Sequence, residues 1–217
     1  RSCHEITNDR PHDRKPRGYA TDEEYDGLRY DYEQYDKWND ESMTKINNVD
    51  LDKVSNTIAK GKEDKSTLKK PAKLQGEWNL DPNSEYQFKT ELPFEKGKQV
   101  IEIDSPSFLG GKGNRLGPMA YCIAGITSCF VGTFVGIAAQ QGVKLTKLKV
   151  NTECNINFAK TFDIADESIS EGINFKVDAK SENADNQKLQ EILEMAEERC
   201  PAMYSMSHKV NVDAKIV

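Results

Sequence analysis

Hydrophobic positions are distributed unevenly along this chain, and one stretch dominates. Gly117 to Gln141, GPMAYCIAGITSCFVGTFVGIAAQQ, carries no formal charge in a protein that is 30% charged. Leu116, Met119, Ile123, Ile126, Phe130, Phe134 and Ile137 recur at three- and four-residue steps, and apolar residues fill many positions between them. That pattern predicts a helix buried nearly all round, in a core or in a bilayer. Pro118 suits its first turn and Gly142 its C-terminal cap. Gly125, Gly132 and Gly136 predict close approach of a strand or partner helix, because each costs roughly 1 kcal/mol of helix propensity that packing must offset.

A bilayer span needs roughly 18 or more apolar residues, which this stretch supplies, and Gly132 and Gly136 form a GxxxG pair. Against that reading, Thr127, Ser128, Cys129, Gln140 and Gln141 dilute the apolarity. No second segment is comparable, and no Lys or Arg cluster flanks either end. The expectation is a buried helix and no membrane.

Shorter patterns flank it. Leu51, Val54 and Ile58 make an apolar stripe with Asp50 as N-cap and Gly61 as a stop. After the lysine-rich KEDKSTLKKPAK, the runs LQGEWNL, EYQFKTEL and KQVIEID alternate like strands of an antiparallel meander. Beyond the central helix, VKLTKLKVNTECNINF and ISEGINFKVDAKS read as half-exposed strands. Ala184 to Arg199 reads as a second helix striped by Leu189, Ile192, Leu193 and Ala196, and HKVNVDAKIV as a closing strand. This order implies an α+β fold.

Residues 1–47 differ in composition: a basic RPHDRKPR precedes an acidic, tyrosine-rich segment with few aliphatic residues. They are expected to be an extension to a domain at 48–217, ordered by docking through Tyr25, Tyr30, Tyr32, Tyr35 and Trp38. Cys3, His4 and His12 lack any closed zinc spacing, so no metal is expected. SPSFLGGKGNRLGP matches neither a Walker loop nor a dinucleotide fingerprint, so no cofactor is expected and its glycines are assigned to a sharp turn.

The 217 residues suffice for a sizeable core, and a net charge of −6 without a basic stripe argues against nucleic acid as a partner. Five cysteines in a chain of this size are not a disulfide scaffold; they point to a reducing compartment, the cytoplasm, or to a specific redox pair.

A glycine-rich loop with Leu109-Gly110-Gly111, then Pro118, then an apolar helix holding Ser128-Cys129-Phe130, then Cys200-Pro201 after a second helix, resembles the OsmC/Ohr family of thiol peroxidases over about residues 48–217. The resemblance implies an OsmC-like fold, with antiparallel sheets wrapped around the central helix in an intertwined homodimer. It also implies a peroxide substrate and an external dithiol reductant. Cys129 matches the family's peroxidatic cysteine and Cys200 its resolving cysteine. The family's glutamate after the helix-opening proline is replaced by Met119, and its strand arginine has no counterpart in Leu74 to Glu91, leaving Arg115 as the candidate cation. The departure keeps open a second expectation: a non-peroxidase binding or assembly subunit of the same fold.

Overall fold

A computed structural model describes residues 44–216. The acidic segment, with its tyrosines, Cys3 and the two histidines His4 and His12, lies outside the described residues. Lys45–Ile46 (β1) and Val49–Asp50 (β2) form a small antiparallel hairpin, turned at Asn47 and Asn48 with positive φ. The Asn47 side chain ties this hairpin to the middle of the chain: its Nδ2 donates to the Val143 carbonyl and its Oδ1 accepts from the Leu145 N–H, each at 2.8 Å.

Helix α1, Leu51–Glu63, begins as expected, with the Asp50 carboxylate accepting from the Lys53 N–H at 3.1 Å. It does not stop at Gly61. That glycine is buried inside the last turn because Leu68, in the following 3-10 turn, lies against it; a Cβ there would sit 2.7 Å from Leu68 Cδ1. A glycine near a helix end thus marks a packing site here rather than a cap.

The expected meander is present as Gly76–Trp78 (β3), Phe88–Phe94 (β4) and Gly97–Ile103 (β5), in the order β3-β4-β5 and antiparallel throughout. Phe88 lies over Gly76, where any side chain would clash with the ring. The sheet leaves much apolar surface open: Trp78, Phe94 and Val100 are exposed.

The glycine loop after β5 is organised by Asp104, which is 1% exposed. One oxygen of its carboxylate accepts from the Lys112 N–H at 3.0 Å and the Asn114 N–H at 2.9 Å. Gly110 and Gly113 take positive φ, and Gly111 passes so close to the Ser105 carbonyl that no Cβ would fit. The glycines therefore serve a turn, as expected from the sequence.

Helix α2, Pro118–Gln140, follows, with Pro118 at its first position. It closes in a Schellman motif: the Val143 N–H reaches the Ala138 carbonyl at 2.8 Å and the Gly142 N–H reaches that of Ala139 at 3.0 Å, with Gly142 at φ 69°. Among the described residues it is the one helix long and apolar enough to cross a membrane. All-round burial is not what a single chain provides. Phe130, Phe134, Ile137, Ala138 and Ala139 are buried, whereas Cys122, Gly125, Ser128 and Gly132 are exposed. Nothing lies within 4 Å of a Cβ built on Gly125, Gly132 or Gly136, so the close approach expected at these glycines is not made within one chain.

Strands Leu145–Ile156 (β6) and Ser170–Ser181 (β7) form a long antiparallel pair. Strand alternation puts Leu148, Val150, Thr152 and Cys154 opposite Ala179, Val177, Phe175 and Ile173 on one face, and charged residues such as Lys149 and Asp178 on the other. Helix α2 packs on the apolar face. The Phe130 and Phe175 rings lie 5.0 Å apart, and Thr127 Oγ1 donates to Thr152 Oγ1 at 2.8 Å. Helix α3, Asn186–Arg199, is capped by Asp185 and covers the rest of the core with Leu189, Ile192 and Ala196. Helix α4, Pro201–Ser207, follows directly. The expected closing strand is absent: residues 208–216 form no strand, and Val212 and Ile216 are exposed.

Candidate functional site

Local chain chemistry fixes one sulfur atom on each of two helices. The α3 stripe of Leu189, Ile192 and Ala196 continues to Cys200 at the same spacing, so Cys200 enters the core with no exposed surface. Pro201 disfavours helical geometry at the residue before it, and Cys200 accordingly adopts an extended backbone at φ −73°, ψ 121°. Its backbone still closes both helices: its N–H donates to the Ala196 carbonyl at 3.0 Å, and its carbonyl accepts from the Tyr204 N–H at 2.9 Å. Cys200 is therefore held at a fixed corner between α3 and α4.

Cys129 lies midway along α2, at the border between its buried and open faces, and is partly exposed. The two sulfurs, 71 positions apart in sequence, are 3.6 Å apart, with the Cys200 thiol directed at Cys129 Sγ. A disulfide is about 2.05 Å long, so closure requires the sulfurs to approach by roughly 1.5 Å. The division of exposure suits two unequal roles. A thiol that attacks a solute must be reachable from outside, whereas one that attacks only its neighbour need not be.

The electrostatics oppose ionisation. Burial is the main influence raising the Cys129 thiol above the ordinary cysteine value, and the hydrogen bond and charge of Cys200 push the same way. The Ala202 backbone N–H, directed at the sulfur, pulls in the other direction without overcoming burial. Sequence reasoning did not single out Ala202; its signal was the Cys-Pro pair, which starts a helix and aims early N–H groups at whatever faces the corner.

Arg115 is not brought to Cys129. It precedes α2, where its Nε lies 3.4 Å from Glu102 Oε2 on β5 and its Nη1 donates to the Asn114 carbonyl at 3.1 Å. From Pro118 to Cys129 the helix rises about 16 Å, beyond the reach of an arginine side chain. Arg115 and Glu102 instead line an open cleft with Gln99, Val100, Ile101 and Tyr121. Of the other thiols, Cys122 is exposed on the open face of α2, and Cys154 lies on β6 with its Sγ 3.6 Å from Ser170 Oγ.

Residues 111–215 match the family model of OsmC-like proteins. Comparison with curated proteins gives no match. Among solved structures, the chain is similar to an OsmC-like protein from Mycoplasma pneumoniae, at 18% identity over 64% of this chain and 88% of the other, with a TM-score of 0.47. An organic hydroperoxide resistance protein OsmC from Legionella pneumophila is similar at 17% identity over 64% and 91%, TM-score 0.44. The organic hydroperoxide resistance protein OhrB of Bacillus subtilis is similar at 20% identity over 66% and 94%, TM-score 0.37. Cys129 and Cys200 both lie within the residues that match the OsmC-like family model.

Proposed function

We propose that this protein is a thiol-dependent peroxidase acting on organic or hydrogen peroxides through Cys129 and Cys200. The observation that carries the reading is the 3.6 Å separation of a partly exposed and a fully buried sulfur. The Cys129 thiolate attacks the outer peroxide oxygen; an S–O bond forms, the O–O bond breaks, and the departing alkoxide, or hydroxide from hydrogen peroxide, takes up a proton to leave as an alcohol or as water. The Cys200 sulfur then attacks Cys129 Sγ, forming the disulfide and releasing the hydroxyl, with a proton, as water. An external dithiol returns two electrons and two protons. Some solved structures similar to this chain are named organic hydroperoxide resistance proteins, which favours the same substrate class.

The proposed working form is a cytoplasmic homodimer. The open face of α2 and the exposed apolar side of the β3-β4-β5 sheet support it, since a second copy would cover the uncharged surface that one chain leaves bare. The domain is taken as 48–217, with residues 1–47 as an extension.

A thiol count tests the chemistry. The five cysteines of the reduced protein should fall to three after one equivalent of peroxide, measured after denaturation. An unchanged count of five would select the second reading, a binding or assembly subunit in which the pair is packing. That reading is favoured by Met119 in the family's glutamate position and by the unfavourable setting for a Cys129 thiolate.

A further inference from the structure

Joining Cys129 to Cys200 requires their sulfurs to approach by roughly 1.5 Å, and the two sides of the pair differ in what they can yield. Cys129 lies inside the 23-residue α2, next to Phe130, which is 1% exposed and packed on the Phe175 ring. A displacement there would disturb the helical hydrogen-bond ladder and open the core. Cys200 stands at a corner with extended backbone, so no helix fixes its dihedrals. The movement falls to Cys200.

A shift of Cys200 bears on the two backbone hydrogen bonds it makes, one to the Ala196 carbonyl at the end of α3 and one from the Tyr204 N–H in α4. Helix α3 has 14 residues and is fixed in the core by Leu189, Ile192 and Ala196. Helix α4 has seven, fewer than the roughly 12–15 a helix needs to hold itself without packing. Only its first turn is packed. Ala202 and Met203 are half-buried against the core that includes Cys200, and the Ala202 N–H is directed at the Cys129 sulfur. Tyr204, Ser205, Met206 and Ser207 are exposed. Among the described residues, the hydrogen bonds of 204–208 stay within 200–208: Ser205 Oγ donates to the Pro201 carbonyl and Ser207 Oγ to that of Met203, each at 2.9 Å, and the His208 N–H to that of Tyr204 at 3.0 Å. Serine back-bonding of this kind weakens a helix slightly. Helix α4 is therefore the side of the corner that gives way.

We propose that α4 is a redox-sensitive lid over the Cys129–Cys200 pair: it is seated while both thiols are reduced, and disulfide formation draws Cys200 toward α2, breaks the Tyr204 N–H bond to the Cys200 carbonyl and releases α4, opening the pair to the external dithiol. The inference rests on the disulfide chemistry proposed above and names how that disulfide is recycled. While α4 is seated, Cys200 has no exposed surface and a reductant cannot reach its sulfur. Attack on Cys129 instead would expel a Cys200 thiolate into an apolar core, where burial disfavours the charge. Once α4 lifts, one thiolate of the dithiol attacks Cys200 Sγ, the S–S bond breaks, and Cys129, the more exposed sulfur, leaves as thiolate and takes up the proton that the attacking thiol had lost. The second thiol then attacks the mixed disulfide, its proton passes to Cys200, and the reductant departs as a disulfide carrying away two fewer electrons. Helix α4 then reseats.

Amide hydrogen exchange of the full-length chain tests the lid without peroxide. The Cys129–Cys200 disulfide is formed with diamide and verified by peptide mass. Amides of residues 204–208 should exchange at least about tenfold faster in the cross-linked protein than in the reduced one, while those of 130–137 in α2 keep their protection. Unchanged exchange at 204–208 in cross-linked protein would overturn the inference, as would failure of diamide to join the two sulfurs.

The rate at which dithiothreitol reduces the disulfide gives a second readout. Ser205→Ala combined with Ser207→Ala strengthens α4 at exposed positions and should slow reduction about fivefold, whereas glycine at the same two positions should speed it by a similar factor. Equal rates in both variants and the wild type would remove the lid from the account. Failure of the peroxidase reading alone would look different, as a disulfide that diamide closes and peroxide does not.

Discussion

Replacing Cys129 by serine is expected to reduce peroxide consumption by at least about a thousandfold, because an alcohol at that position offers no thiolate and no other sulfur lies where Cys129 does. Cys200→Ser should behave differently. The attacking thiol is intact, so a first turnover proceeds and consumes about one equivalent of peroxide per chain before slowing. The sulfenic acid then persists on Cys129, where dimedone should trap it. Cys122 is a useful control. It lies on the same helix seven residues earlier, about 10 Å along the axis, too far to substitute for Cys129 opposite Cys200. Cys122→Ser should therefore keep the wild-type pattern in both assays. Full activity in Cys129→Ser would remove the assignment of the attacking atom.

The largest expected loss of stability comes from Phe134→Ala. Phe134 is 2% exposed and forms one core with Phe130, Ile137, Leu189 and Ile192. Truncating a buried phenylalanine costs about 3–5 kcal/mol through lost burial and the cavity left behind. A domain's whole stability is about 5–15 kcal/mol, so the variant should unfold at a much lower urea concentration with an unchanged slope. Phe108→Ala is the comparison, since Phe108 is exposed and its ring meets that of Phe158 edge to face at 5.2 Å. It should lose far less. Equal losses for the two would mean that the α2–α3 contact is not the centre of the fold.

Much of this architecture was legible from the chain because local signals agreed with one another. Pro118 and Gly142 bracket α2 as their chemistry requires, Asp50 and Asp185 cap α1 and α3, and alternation located β3 to β7. Gly61 misled because the reason for a glycine there is Leu68, a tertiary neighbour that periodicity cannot reveal. The closing segment 208–216 alternates as a strand should, but a strand exists only where an edge receives it. The same limit applies to α2. Its composition described a surface that must be covered, while the described chain covers only one face.

The candidate site divides along similar lines. Cys129 and Cys200 were identified by resemblance, and their proximity follows from two helices whose apolar stripes share one core. The surroundings of the sulfur could not be read in advance. The Ala202 N–H is a backbone group with no side-chain signature, and the separation of Arg115 from Cys129 depends on the length of helix between them.

The central claim is that peroxide joins Cys129 to Cys200, and mass spectrometry of tryptic peptides after one equivalent of peroxide tests it most directly. The account predicts a cross-linked species joining the peptide Leu116–Lys144 to Cys200–Lys209, with fragment ions assigning the bond to Cys129 rather than Cys122. Recovery of both peptides with every cysteine still reduced, or a bond that excludes Cys129, would contradict it.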